Sequence, residues 1–146
     1  MTAQENEALV RRYIEEAFNK GNMAIVDEVF AANLQNHSAP PGRSPGIEGV
    51  REFVRRVRAE WPDIRITIDD QVAEGDKVVT RWTARCTHFR PVTTPYGSMA
   101  PTNKPVTLTG IDIHRIDGGQ MVEHWGNSDE LGLMQQLGAV PTPVLK

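Results

Sequence analysis

Apolar positions in the first half of the chain recur at three- and four-residue steps, and those in the second half alternate. In ENEALVRRYIEEAFNKG, residues Leu9, Val10, Tyr13, Ile14, Ala17 and Phe18 fall on one stripe, which predicts an amphipathic helix. Gly21 follows where a left-handed C-terminal cap belongs. Ile25, Val26, Val29 and Phe30 form the inner face of a shorter second helix. Residues 36–46, NHSAPPGRSPG, carry three prolines and two glycines and predict irregular chain. A third helix begins near Ile47, with Val50, Phe53, Val54, Val57 and Trp61 on its stripe, and Pro62 ends it.

From Ile64 the period is two. Ile64, Ile66 and Ile68 alternate with Arg65, Thr67 and Asp69, the pattern of a half-buried strand. Glu74-Gly75-Asp76 marks a hairpin turn into a long strand, KVVTRWTARCTHF. Four prolines and a glycine between residues 90 and 105 predict a loop. Strands VTLTGIDIHRI and QMVEHWGNS follow, joined by Asp117-Gly118-Gly119. A short last helix, DELGLMQQLG, stops at Gly138, and the tail 139–146 has no pattern of its own. Helices followed by a meander make one α+β domain, residues 1–146. Three helices cannot cover both faces of a four-stranded sheet. A curved sheet wrapped around them, with a pocket at its open end, solves that geometry and leaves one sheet face free for dimerisation.

Composition narrows the function. A chain of 146 residues is long enough for a real core without disulfides. With 16 basic and 19 acidic side chains the net charge is −3, which argues against general nucleic-acid binding. Arg51, Arg55, Arg56 and Arg58 fall between the apolar positions of helix three and read as a solvated face. No apolar run approaches membrane-spanning length, and the first residues, MTAQENEALVRR, are unlike a secretory signal, so a cytoplasmic location is expected. Cys86 is the single cysteine, and His37, His88, His114 and His124 lack metal-ligand spacing, so no metal is expected.

The informative stretch is 110–138. By strict alternation Met121, Glu123, Trp125, Asn127 and Asp129 share one face of the last strand, and Gly110, Asp112 and His114 share a face of the preceding one. Polar groups thus recur on half-buried strands, where desolvation moves a carboxyl pKa toward a range useful for proton transfer. Asp129, beside Trp125 at the strand's end, is the leading acid/base candidate. The same position suits a helix N-cap, and spacing leaves both roles open.

NKGNMAIVDEVFAANLQNH, GIEGVREFVRRVRAEWPD, GDKVVTRWTARCTH and GIDIHRIDGGQMVEHWGNSDELGLMQQLG together resemble the SnoaL-like polyketide cyclase (ester cyclase) family over nearly the whole chain. The resemblance implies a cone-shaped α+β fold, a curved antiparallel sheet around about three N-terminal helices with a short C-terminal helix, and a homodimer. It also implies aldol-type ring closure without metal or cofactor on a small apolar or aromatic carbonyl substrate. The family's aspartate falls on Asp129 and its histidine on His114. Trp125, Trp82, His37, Asn36 and His88 are then the candidate pocket walls. CTH at 86–88 replaces a common glycine-threonine-histidine, and VTTPYGSMAPTNK lengthens the rim loop. Two rival readings stand beside this one. Epoxide hydrolysis would recruit Asp112, Asp129 and Arg81 or Arg85, and a non-catalytic protein would only hold an apolar ligand.

Overall fold

The computed structural model describes residues 1–94 and 97–145; Pro95 and Tyr96 of the expected rim loop and Lys146 of the tail lie outside the described residues. Helix α1 (Ala3–Tyr13) starts with a capping box, in which Glu5 N–H donates to Thr2 Oγ1 and Thr2 N–H to the Glu5 carboxylate. It widens into a π-helical turn, Ile14–Asn19, and stops at Gly21 with φ of +73°. Arg58 reaches the Phe18 carbonyl beneath that stop, so a β-carbon at Gly21 would lie 2.7 Å from its Nε.

Helix α2 (Ala24–Val29) is shorter than the periodicity predicts, because Phe30 opens strand β1 (Phe30–Asn36). FAANLQN lacks alternation and is rich in helix-forming residues. It is extended because it pairs in parallel with the last strand, a tertiary effect invisible to local pattern. Helix α3 (Ile47–Glu60) buries Val50 and Val54, but Phe53 sits off the core, 45% exposed, with the Arg56 guanidinium over its ring. The arginines of this helix do line its surface, where Arg51 pairs with Asp27 and Glu48.

Strands β2 (Arg65–Glu74) and β3 (Lys77–Thr87) turn at Gly75. The expected loop after them holds a two-stranded patch, β4 (Val92–Thr94) with β5 (Gly97–Met99). Strands β6 (Pro105–Asp117) and β7 (Gln120–Ser128) turn at Gly118 and Gly119, both with positive φ. The main sheet has five strands in the order β1-β7-β6-β3-β2. It is curved and open, and it is mixed rather than antiparallel because β1 runs parallel to β7. Helix α4 (Glu130–Leu137) extends past the end of β7 and satisfies the edge that β6 leaves open there. Asp129 N–H donates to the Thr109 carbonyl, and the Gln136 side chain pairs with both backbone groups of Thr107.

Two irregularities set which side chains face the helices. In β2 the register shifts at Asp69, and in β7 it shifts at Val122, since Ile116 pairs with Met121 but Arg115 with Glu123. Beyond Val122 the inward residues of β7 are therefore His124, Gly126 and Ser128, opposite His114, Asp112 and Gly110. The expected face Met121, Glu123, Trp125, Asn127 is corrected: only Met121 of that set is buried in the core.

The core has two parts. The larger gathers α1, α2 and α3 over Val78, Ile116 and Met121. The smaller joins Val92, Val106, Met134 and Leu137, with Trp61 and Cys86 packed against it. Between them the inner face carries Thr80, Trp82, Leu108, Asp112 and His124, which belong to neither cluster.

Candidate active site on the inner face of the sheet

Asp112 and His124 lie in that gap, with side chains 22% and 21% exposed. Asp112 Oδ1 is 3.5 Å from His124 Nε2, and His124 Nδ1 is 2.8 Å from Asn36 Oδ1. The tautomer follows from the neighbouring backbone. Ser38 N–H donates to the same Asn36 oxygen at 2.9 Å, which fixes it as an acceptor. His124 Nδ1 must therefore carry hydrogen, and its Nε2 lone pair faces Asp112 when the ring is neutral. Gly126 makes the approach possible, because a β-carbon there would collide with Asp112 Oδ1 and lie 3.0 Å from His124 Nε2.

Two further groups close the site from below. His114 is 2% exposed, its ring 4.7 Å from that of His124 and 6.2 Å from that of Tyr13. Burial, reinforced by the neighbouring His124 and opposed by Asp112, pushes its pKa down to about 3, so it is neutral at ordinary pH. Burial, together with the Asp112 charge, holds the Tyr13 phenol far above its usual range and therefore protonated. His114 Nδ1 is buried without a partner. The cluster thus offers one carboxylate, one imidazole 3.5 Å from it, and two neutral polar groups.

The residues nominated by sequence divide. His114, Asn36 and Trp82 belong to this inner face. Asp129 does not meet His114. It is exposed, its carboxylate accepts from Gly132 N–H at 3.0 Å as the N-cap of α4, and its own N–H bonds Thr109. Thr109 is five residues from His114 along β6, roughly 16 Å at ~3.3 Å per residue. Trp125 and His37 stack on each other on the outer face, 4.8 Å apart and 13° from parallel, because the Val122 bulge turns Trp125 away from the helices. His37 bonds Glu123 at 2.7 Å, and Arg115 bonds the same carboxylate; these two bonds hold Glu123 below the usual carboxylate range. His88 is fully buried at the base of the rim loop, where Thr102 N–H donates to its Nδ1 and Lys104 and Asn103 pair with its backbone. Arg81 and Arg85 project from the other face of β3, Arg81 toward Asp69, so neither supports the arginine-bridged carboxylates of an epoxide hydrolase.

Asp112 and His124 are the candidate site residues that strict alternation placed apart. The sequence signal was available in part: Asp112 shares a face with His114, and the two glycines, Gly110 and Gly126, mark close approach on that same face. Among the described residues no group of three or more His, Cys, Asp or Glu is arranged to hold a metal ion, and no helix is long and apolar enough to cross a membrane.

A profile of the SnoaL-like polyketide cyclases matches residues 8–137. The chain belongs to that family. Among solved structures, this SnoaL-like chain is 31% identical to IdmH, a candidate polyketide cyclase from Streptomyces antibioticus, with a TM-score of 0.78 over 91% of this chain and 98% of that one. It is 29% identical to TsrD from Streptomyces laurentii, with a TM-score of 0.84 over 96% and 99% of the two chains. AclR from Streptomyces galilaeus, a candidate hydroxylase, shares the fold at 21% identity, with a TM-score of 0.84 over 98% and 87% of the two chains. No curated protein sequence matches the chain.

Two outcomes are expected from these contacts. Replacing Asp129 by Ala removes the cap and lowers stability to urea by about 0.5–2 kcal/mol, whereas Asp129→Asn keeps a capping oxygen and changes it little. Because His114 has a folded pKa of about 3, below the ordinary 6.5, its contribution to stability is complete above pH 6.5. As pH falls from 6.5 toward 3 that contribution is lost, at a slope of up to ~1.4 kcal/mol per pH unit. Urea unfolding across that window is expected to show a steeper acid decline for the wild type than for His114→Gln; parallel curves would contradict it.

Proposed function

We propose that this protein is a cofactor-independent cyclase that closes a ring within a small, carbonyl-rich, largely apolar substrate by intramolecular aldol addition, with Asp112 as the acid/base. The observation that carries the reading is the Asn36–His124–Asp112 relay in the gap between the two apolar clusters. Family membership supports the substrate class, and the N-cap bond of Asp129 supports moving the acid/base role from Asp129 to Asp112.

The chemistry balances without a further reagent. The Asp112 carboxylate takes a proton from carbon next to a carbonyl, and the C–H electron pair moves to give an enolate. The enolate carbon then bonds a second carbonyl carbon of the same molecule, whose π electrons become an alkoxide. The alkoxide recovers the proton from the Asp112–His124 pair, so the net step is an isomerisation. His124 can share that proton through Nε2 while Asn36 holds the ring by Nδ1. His114, neutral and buried beside His124, adds no charge to the site. Positioned acid–base catalysis of this kind contributes about 10²- to 10⁴-fold, and holding one flexible chain folded adds effective molarity.

We also propose that the outer sheet face joins two copies of the chain. It carries Ile111 and Val72, 50% and 61% exposed, with Ile113 and Trp125 lining a shallow concavity of about 270 Å³ beside them. A reducing cytoplasm suits the single, half-buried Cys86, whose thiol burial raises to about 12.

On a synthetic linear polyketone that can cyclise, Asp112→Asn is expected to lose about 10²- to 10⁴-fold in kcat, while Asp129→Asn stays within about twofold of the wild type. The reverse pattern would restore Asp129 to the acid/base role. Binding without turnover in the wild type would favour a ligand carrier. In sedimentation velocity the wild type is expected to run as a dimer and Ile111→Glu as a monomer; a monomeric wild type at micromolar concentration would contradict the interface.

A further inference from the structure

We infer that the indole N–H of Trp82 holds the oxygen of the substrate's reacting carbonyl, which makes Trp82 the anchor that aims the adjacent carbon at Asp112. The inference rests on the acid/base reading of Asp112 and deepens it at the same site.

Trp82 lies on β3 opposite Gly110, on the inner face. Its Nε1 is buried and has no hydrogen-bond partner. A buried indole N–H normally finds an acceptor, and leaving one unpaired is costly. Among the described residues three other buried side-chain atoms share this condition: Asn6 Oδ1, His88 Nε2 and His114 Nδ1. Asn6 faces the Gly75 turn and His88 ties down the rim loop, so both stand away from the Asp112 cluster. Trp82 and His114 flank it.

The direction of the indole is fixed by a missing side chain. Its Cζ2 and Cε2 edge, next to Nε1, rests over Gly110, where a β-carbon would collide with Cζ2 and come within 2.7 Å of Cε2. Glycine at position 110 therefore lets the ring lie across β3 toward β6, the strand that carries Asp112. In the register, Trp82 pairs with Gly110 and Thr80 with Asp112. Trp82 and Asp112 are thus diagonal neighbours on one face, about 7–8 Å apart at Cβ.

The chemistry of the donor selects the ligand. An indole N–H gives one hydrogen bond, accepts none and carries no charge at any working pH. It matches a carbonyl, enolate or phenolate oxygen and offers nothing to an ammonium or a metal cation. As negative charge moves onto the carbonyl oxygen during proton removal, a fixed donor in a desolvated site strengthens its bond, which is how such a group lowers a barrier. The flat ring beside it favours a planar, conjugated substrate segment over a saturated chain.

The test uses 2-naphthol, whose aromatic oxygen stands for an enolate oxygen, and protein labelled with ¹⁵N at its three tryptophans. On titration the Trp82 indole resonance is expected to move downfield and saturate, with Trp61 and Trp125 unmoved. Trp82→Phe, which keeps most of the ring, is expected to weaken 2-naphthol binding about tenfold, and Gly110→Ala to weaken it by displacing the indole without removing the N–H. An unmoved Trp82 resonance, absence of binding at millimolar 2-naphthol, or equal affinity in Trp82→Phe would each overturn the inference. The two readings separate cleanly. Lost turnover in Asp112→Asn with an unmoved Trp82 resonance overturns the anchor and leaves the aldol reading. A moving Trp82 resonance with a fully active Asp112→Asn does the opposite.

Discussion

Val122, the unpaired residue between Met121 and Glu123, decides which side chains of β7 meet the helices. Before it, Met121 packs into the larger apolar cluster; after it, His124, Gly126 and Ser128 point the same way. One extra residue shifts a period-two pattern by one position, so the whole remaining strand exchanges faces. Without that shift Trp125 would press into the gap, and His124 would lie on the outside with Asp112 left alone. The Asn36 bond to His124 depends on it as well, because β1 pairs with β7 beyond the bulge and brings Asn36 alongside.

Given that frame, charge in the polar gap is limited by its neighbours, although His114 Nδ1 and Trp82 Nε1 stay without a partner. A carboxylate and two histidines on the inner face of a sheet, with a helix tyrosine against them, would be costly if unpaired. Asn36 holds His124, His124 faces Asp112, and burial keeps His114 and Tyr13 in their uncharged forms. Charge is confined to the partly exposed pair, and the groups beneath are neutral. The division of the core into two clusters matters equally. Thr80, Trp82, Asp112 and His124 lie between the clusters and belong to neither.

Much of the frame was legible in the sequence. The helix stripes of α1 and α3, the three glycine turns and stops at Gly75, Gly118 and Gly138, and the β2–β3–β6–β7 meander all follow from local period and turn chemistry. Strand β1 was not legible, since FAANLQN has no alternation and is extended only through its parallel partner. The β4–β5 patch was hidden among prolines. The site was legible on β6, where Asp112 and His114 share a parity without interruption, and illegible on β7. Nothing in QMVEHWGNS marks Val122 as the residue to leave unpaired, so alternation carried Trp125 and Asp129 to the wrong side. For Asp129 the capping role competed from the start, and the Gly132 bond decides its place in the fold.

The bond between His124 Nδ1 and Asn36 Oδ1 sets which nitrogen of the ring is turned to Asp112. The ¹⁵N spectrum of histidine-labelled protein, recorded from acid to alkaline pH, tests it most directly. Neutral His124 is expected to carry its hydrogen on Nδ1 in the wild type, where Asn36 Oδ1 accepts it, and to lose that preference in Asn36→Ala. A neutral His124 with hydrogen on Nε2 in the wild type would contradict it.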